Sequence, residues 1–231
     1  DELPVADGPK MAGGVAPGQV LALTDAGGVT LGALEVESTF EIDAEAHSAA
    51  IFGTTSAEHP GVQHVAAKPS LCAGGPVHVS AARLETFRHQ RTPAELRRWL
   101  VATGKTGCTA FSTRNVCHLG HEFLHRLALE KTDLLGINVI TGAQVKGSFL
   151  SDVVFDTYEH LIEKCYPRHR VFLNNLRLPP IYAGPREAFL QATVLQNLGF
   201  THFIVGRDHA GIGSFYSKYA SQQIFRELTD L

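Results

Sequence analysis

The feature that most constrains the fold of this sequence is a regular alternation of short apolar runs with helix-like segments after residue 90. Helices are expected after Thr92, from near His118, and over residues 152–164 and 186–198. Strands are expected at the apolar runs 109–111, 136–140, 170–173 and 201–205. Strands that alternate with helices favour parallel pairing, because each helix returns the chain to the same edge of the sheet. The sequence therefore predicts an α/β fold with a doubly wound, Rossmann-like parallel sheet.

The first 90 residues show a different pattern, in which turns and loops separate the apolar runs. Residues 19–23 and 29–31 flank an Asp- and Gly-rich turn, which is typical of a β-hairpin. The second run continues through 34–42 with partial alternation, and 77–79 is another short strand candidate. Gly- and Pro-containing loops are expected between them. We therefore predict a small β-rich domain over residues 1–90, followed by the α/β domain over residues 91–231.

Charge and cysteine content exclude several classes of protein. The 20 Lys and Arg residues against 23 Asp and Glu give a net charge of −3, which argues against binding nucleic acid or membranes through a broad basic surface. No apolar run approaches the ~20 residues that span a bilayer, and no secretory signal pattern is present. The four cysteines form no C-x-x-C pair. We therefore expect a cytoplasmic protein without a disulfide framework or a metal held by its own side chains.

A polar cluster follows the first predicted strand of the α/β domain. It contains Ser112, Thr113, Arg114, Asn115, His118, Gly120 and His121. Two histidines at a helix start can face one phosphate, to which Gly120 allows close approach and the helix N-terminus adds N–H groups and a positive partial charge. Such donors stabilise the charge that a phosphoryl centre gains during substitution. A metal-binding or structural histidine pair is the alternative, but Arg114 and Asn115 beside it favour a nucleotide phosphate.

Two more polar clusters follow later elements. Gly184 precedes a Pro-initiated helix, where Arg186 and Glu187 would ordinarily be solvated charges. The other cluster follows the last predicted strand and contains Gly206, Arg207, Asp208, His209 and Ala210. Glycines at both ends of such a loop favour contact between its backbone and a ligand. A hydrogen bond between Asp208 and His209 that fixes the loop is a compatible alternative. Ligands of parallel sheets bind where strands end, so the three clusters are candidates for one site.

The three clusters resemble motifs of the ATP sulfurylase (sulfate adenylyltransferase) family. Residues 113–121 are similar to its Q-T-R-N-P-x-H-x-x-H segment and carry the H-x-G-H of the wider nucleotidyltransferase superfamily. Residues 182–188 and 201–211 are similar to its other two signatures, and residues 52–62 to a stretch before its catalytic domain. The resemblance covers most of the chain. It implies a PUA-like first domain followed by a nucleotidyltransferase domain. Compared with the family, the first domain is expected to be incomplete at its N-terminus and the second to have no C-terminal subdomain, either because those segments lie outside this sequence or because this is a shortened relative.

The resemblance implies adenylyl transfer, in which a sulfate oxygen attacks the α-phosphorus of Mg²⁺-bound ATP in line and pyrophosphate leaves. It implies a homo-oligomer as well. In this scheme the imidazoles of His118 and His121 stabilise the transition state, and Asn115 orients the phosphates. The guanidiniums of Arg114 and Arg207 hold the oxyanion. The remaining candidates for substrate or nucleotide binding are Ser112, Thr113, Gly120, Gly184, Arg186, Gly206, Asp208, His209 and the backbone N–H of Ala210.

The sequence departs from the family pattern at the implied anion site. Ser112 stands where the family has a glutamine that contacts sulfate, and Pro180 and Ile181 replace a Met-Arg pair. Loss of a donor and of a positive charge matters, because a buried anion depends on such partners. Two alternatives therefore stay open: a nucleotidyltransferase of the same fold that uses another oxyanion acceptor, and a nucleotide-binding relative without transfer activity.

Overall fold

The computed structural model describes residues 14–25, 27–79, 87–142 and 149–228. The chain divides into two compact units, the first ending at residue 86 and the second beginning at Phe87. From the amino-acid sequence, the boundary was expected at residue 90. None of the helices in the described ranges combines the length and the apolar character that crossing a membrane requires.

The described part of the first unit contains two small antiparallel sheets and two helices. In chain order its elements are β1 (Val20–Thr24), β2 (Thr30–Glu35), β3 (Ser38–Glu41), α1 (Ala44–Phe52), α2 (Pro60–Ala66), β4 (Leu71–Gly74) and β5 (Val77–Val79). One sheet has the order β1-β2-β5, and β3 pairs with β4 in the other. The predicted hairpin is confirmed, and the Asp25 carboxylate accepts hydrogen bonds from the backbone N–H groups of Gly27 and Val29 within its turn.

Two expectations for this unit were wrong. The single strand expected over 34–42 is divided into β2 and β3, because the chain changes sheets at the buried Val36. Helices α1 and α2 occupy a stretch that was expected to be loop. Each begins at a side-chain cap: Asp43 accepts from the N–H groups of two following residues, and His59 precedes a proline in the first turn. These caps are local start signals of the kind that precede helices.

The second unit is an α/β domain, as predicted. Its elements are α3 (Pro93–Ala102), β6 (Cys108–Thr113), α4 (Leu119–Lys131), β7 (Leu134–Thr141), α5 (Ser151–Lys164), β8 (Val171–Arg177), α6 (Pro185–Leu198), β9 (His202–Phe203) and α7 (Ala220–Glu227). The four strands pair in parallel in the order β8-β7-β6-β9. Strand β9 is shorter than the expected 201–205, and α7 is an element that the sequence analysis did not predict.

Apolar side chains on the two faces of the parallel sheet belong to two separate cores. Ile137 lies in the core that includes residues of α4 and α5, whereas Phe172 lies in the core that includes residues of α3 and α6. Tyr158 of α5 and Leu96 of α3 are fully buried in their respective cores. Because helices cover both faces, the sheet is doubly wound, which confirms the predicted fold class.

The strand order places a topological switch point beside β6. From β6 the chain steps in one direction to β7 and β8, whereas β9 pairs with the opposite side of β6. Connections that leave neighbouring strands in opposite directions open a crevice at the carboxyl ends of those strands, and ligands of open α/β sheets bind there. The segments that follow β6 and β9 therefore flank the crevice, and both carry a predicted polar cluster.

Candidate active site

His118 forms the N-cap of α4. Its Nδ1 accepts hydrogen bonds from the backbone N–H groups of Gly120, at 3.1 Å, and His121, at 3.4 Å. Since Nδ1 is the acceptor, the neutral imidazole carries its proton on Nε2 and can donate it to a ligand. These two N–H groups, which were expected to face a phosphate, are thus occupied by the cap. A Cβ at Gly120 would lie 3.0 Å from the His118 ring, so glycine suits this capped turn.

His121 stacks on His118. The two ring centroids are 3.8 Å apart with an interplanar angle of 26°. Burial, together with the nearby charge of His118, lowers the pKa of His121. Stacking restricts both rings, and a neutral His121 at physiological pH can offer a hydrogen bond without the cost of burying a positive charge. The structure therefore brings the two predicted histidines together as one pair.

His125, one turn further along α4, is a buried residue that the sequence analysis missed. Its Nδ1 lies 2.8 Å from the hydroxyl of Tyr166, and its ring packs edge-on against Phe111 with a centroid distance of 4.4 Å. Burial, with a smaller effect from His121, lowers the pKa of His125 to about 3. The helical spacing of residues 118, 121 and 125 is the signal that would have found it.

The low pKa of His125 makes folding sensitive to acid. An unfolded chain binds this proton near pH 6.5, whereas the folded protein binds it only near pH 3. The unfolded state therefore gains protons as the pH falls through 6.5, and stability decreases from there towards pH 3. Between pH 8 and pH 5 the contribution of His125 to this loss is about 2 kcal/mol. Urea denaturation of the wild type and of His125→Phe at both pH values measures this contribution to the free energy of unfolding.

We expect the His125→Phe variant to lose about 2 kcal/mol less stability than the wild type between these pH values. His160→Phe, which changes an exposed histidine of α5, is the control and should lose as much as the wild type. Equal pH dependence of the wild type and His125→Phe would contradict a neutral, buried His125.

Glu187 in α6 is fully buried, which contradicts its expected place among solvated charges. Its side chain is 1% exposed. One carboxylate oxygen accepts from the backbone N–H groups of Ile181 and Ala183 at 3.2 and 3.3 Å. The other accepts from Gln191 Nε2 at 3.2 Å and from Arg114 Nη2 at 3.5 Å. Burial raises the pKa of Glu187, and the charge of Arg114 opposes that shift.

The same network reaches the loop after β9. His209 Nε2 lies 2.9 Å from Gln191 Oε1, and since Gln191 donates through Nε2 to Glu187, His209 is the donor of this bond. Burial, and secondarily the charge of Arg114, lowers the pKa of His209 to about 4. The alternative of a hydrogen bond between Asp208 and His209 was wrong, because Asp208 instead pairs with Arg207 at 3.3 Å.

The backbone of the two later clusters adopts unusual conformations where they meet. Tyr182, Asp208 and Ala210 have φ values of 60°, 54° and 55°, in the left-handed region that non-glycine residues seldom occupy. The Gly184 N–H donates to the Ala210 carbonyl at 3.0 Å, which joins the two loops directly. Each such residue costs on the order of 1–3 kcal/mol, and strain of this kind concentrates at ligand-binding and catalytic sites.

The other predicted residues differ in their surroundings. Thr113 Oγ1 accepts from the Asn115 N–H at 3.0 Å, so it stabilises the turn that carries the exposed Asn115. Ser112 has a buried Oγ that makes no hydrogen bond within the described residues. Arg186, Arg207 and Asp208 are exposed, and Gly206 has open space around it. Among the predicted residues, Arg114 and His209 are thus joined through the buried side chains of Glu187 and Gln191. Gly184 and Ala210 are joined by a backbone hydrogen bond.

Fold and site together define a doubly wound α/β protein with a candidate anion site at the switch point of its sheet. Residues 88–231 match the model of the ATP-sulfurylase family, and residues 3–82 match that of the PUA-like domain. The chain belongs to the ATP-sulfurylase family. The match of residues 3–82 also confirms that the first domain is PUA-like.

Curated relatives share about two fifths of their aligned residues with this chain. The sulfate adenylyltransferase of Hyperthermus butylicus is 39% identical, over 96% of this chain and 57% of its own length. That of Ignicoccus hospitalis is 42% identical, over 88% of this chain and 54% of its own length. That of Aeropyrum pernix is 38% identical, over 94% of this chain and 57% of its own length. The chain thus spans little more than half the length of these relatives.

A solved structure shares the fold. The hexameric APS kinase from Thiobacillus denitrificans superposes with a TM-score of 0.59 at 23% sequence identity. The match covers 84% of this chain and 34% of that protein. At this level of identity the likeness concerns the fold alone.

Proposed function

We propose that this protein is an adenylyltransferase that converts ATP and sulfate into adenylyl sulfate and pyrophosphate. The observation that carries the proposal is the buried network from Arg114 through Glu187 and Gln191 to His209, since it links three separate motifs at the switch point. Relatives named sulfate adenylyltransferase support the same reaction.

The reaction needs positioning and charge stabilisation at the α-phosphorus, and it needs no covalent intermediate. In the proposed mechanism, His118 and His121 donate hydrogen bonds to the oxygens that gain charge when the sulfate oxygen attacks. The N-cap bonds of His118 and the stacking of the two rings fix both donors beforehand, so little reorganisation accompanies the reaction. Asn115 would orient the phosphates, and Mg²⁺ would enter with ATP as part of the substrate.

The oxyanion would bind between the two guanidiniums. Arg114 has 31% of its side chain exposed and one nitrogen directed to Glu187, so its other N–H groups can face a ligand. Arg207 and the backbone N–H of Ala210 would approach from the loop after β9. The nucleotide would contact the rest of the candidate residues, which are Ser112, Thr113, Gly120, Gly184, Arg186, Gly206, Asp208 and His209.

The direct test is an assay of both reaction directions with the full chain. With adenylyl sulfate, pyrophosphate and Mg²⁺, we expect ATP to form, and with ATP, Mg²⁺ and sulfate we expect pyrophosphate release when a pyrophosphatase removes the product. Absence of turnover in both directions, while adenylyl sulfate still binds, would favour the non-catalytic alternative. Absence of binding as well would reject the proposal.

A second candidate function keeps the chemistry and changes the acceptor. Ser112 lies in register with Asn138 of β7 and Asn174 of β8, so the three form a polar row across the sheet. Its short side chain leaves Oγ buried where the family has a longer amide, and Ile181 contributes no charge. A panel of sulfate, selenate, molybdate, phosphate and small sulfonates distinguishes the two functions. Preferred turnover of sulfate would eliminate this second candidate.

We also propose that the protein forms a homo-oligomer and acts in the cytoplasm, where ATP is available. The hexameric assembly named for the solved neighbour belongs to that protein and gives the oligomer only weak support. Light scattering of the purified chain would measure its oligomeric state. A monomer at all concentrations would contradict this part of the proposal.

A further inference from the structure

Glu187 is a buried carboxylate with no place in the reaction scheme above. Its side chain is 1% exposed, and its two oxygens accept hydrogen bonds from the backbone that leads into α6, from Gln191 and from Arg114. A buried carboxylate is costly unless it is fully hydrogen-bonded, and this one has partners on both oxygens.

Glu187 contacts Arg114, the residue that would hold the oxyanion. An arginine side chain has several rotatable bonds, and its planar fork recognises an oxyanion only in a defined orientation. Arg114 follows the end of β6, and the described contacts that orient its guanidinium are the Glu187 carboxylate and the face of Tyr182, 6.0 Å from the ring centroid. The carboxylate fixes one edge of the fork and leaves the other available.

Gln191 extends this arrangement to the second loop of the site. The residue lies one turn after Glu187 in α6, is 2% exposed, and receives the hydrogen bond of His209. Since its amide donates to Glu187, its oxygen must face His209. The charge on Glu187 thus determines the orientation of the amide, and the amide determines which nitrogen of His209 carries the proton.

We propose that Glu187 is a positioning residue, which orients Arg114 towards the oxyanion. The inference rests on the proposed function, because it assigns Arg114 to the part of the ligand that carries the oxyanion. If the carboxylate is purely structural, its loss should weaken the binding of every ligand of the site alike. If it is a positioning group, its loss should weaken the binding of those ligands that Arg114 contacts.

The test is calorimetric binding of adenylyl sulfate and of AMP, which lacks the sulfuryl group. Glu187→Gln keeps the size of the side chain and removes its charge. We expect the Kd of adenylyl sulfate to rise about 10- to 100-fold, as for loss of a hydrogen bond to a charged group, while the Kd of AMP changes far less. Glu163→Gln is the matched control: that carboxylate also lies 3.5 Å from an arginine nitrogen, but is 52% exposed. We expect it to bind both ligands as the wild type does.

A double-mutant cycle establishes whether Glu187 acts through Arg114. In an Arg114→Ala background, Glu187→Gln should weaken adenylyl sulfate binding little further, because the group it orients is gone. If Glu187→Gln does not fold, as thermal denaturation will show, Glu187→Asp replaces it, since it keeps the charge but shortens its reach. The same selective loss is expected from this variant.

Three results would overturn the inference while the wild type turns over its substrates: unchanged adenylyl sulfate binding, equal losses for both ligands, or fully additive effects in the cycle. Failure of the proposed function looks different. In that case the wild type itself forms no ATP from adenylyl sulfate and pyrophosphate. Selective and coupled losses in binding would then still support the positioning role of Glu187.

Discussion

The His121→Ala variant is expected to lower kcat of adenylyl transfer by about 10²- to 10³-fold, the effect of removing one preorganised donor from a charged transition state. His121 is half-buried and stacked on His118, so its ring is held in one orientation before the substrate binds. Burial also lowers its pKa, which keeps the ring neutral near pH 7. Because the donor acts on charge that develops during the reaction, the KM for adenylyl sulfate should change much less than kcat.

The measurement is steady-state ATP formation from adenylyl sulfate and pyrophosphate. His121 is a better choice than His118, whose substitution would also remove the N-cap of α4 and cost about 1 kcal/mol of stability. His160→Ala, on the exposed side of α5, serves as the control and should retain wild-type kcat. An unchanged kcat in His121→Ala would remove the imidazole of His121 from the proposed mechanism.

The second large effect concerns stability. Gly184→Ala is expected to reduce the free energy of unfolding by about 2–5 kcal/mol, from backbone strain and overpacking together. Gly184 has φ 52° and ψ −116°, a conformation that suits glycine. A Cβ there would lie 2.7 Å from two ring atoms of Tyr216, and the hydrogen bond from the Gly184 N–H to the Ala210 carbonyl leaves the backbone little freedom to move away.

Urea denaturation monitored by circular dichroism measures this loss. Gly206→Ala is the matched control, because a Cβ at Gly206 meets no atom within 4 Å and the residue has no positive φ. Its free energy of unfolding should stay within about 0.5 kcal/mol of the wild type, the usual range for unconstrained surface positions. A Gly184→Ala variant as stable as this control would show that the two loops are not held together as described.

Much of the α/β domain could be predicted because the signals are local. Helix α3 begins where Thr92 and Glu95 form a capping box, and the two residues are only one helical turn apart. Strands β6, β7 and β8 are buried along most of their length, as expected of a sheet covered by helices on each side. The two-residue β9 was overestimated in length, because apolar character continues after the pairing with β6 ends.

The candidate site could be predicted from the sequence only in part. His118 and His121 were predicted from their spacing at a helix start, and the structure places them in contact. Glu187 was expected to be solvated, since a glutamate in the first turn of a helix is usually exposed. It is buried because the segment before α6 and the arginine after β6 close over it. That contact joins residues 73 positions apart.

The amino-acid sequence by itself determined the order of strands and helices, the motifs that follow them and the resemblance to one family, since these depend on neighbours along the chain. Only the tertiary structure decided that β9 lies beside β6, that the three motifs share a buried network, and that His209 bonds to Gln191 and not to Asp208. The physical reason is that burial and hydrogen-bond partners are set by contacts between distant segments, which local patterns do not encode.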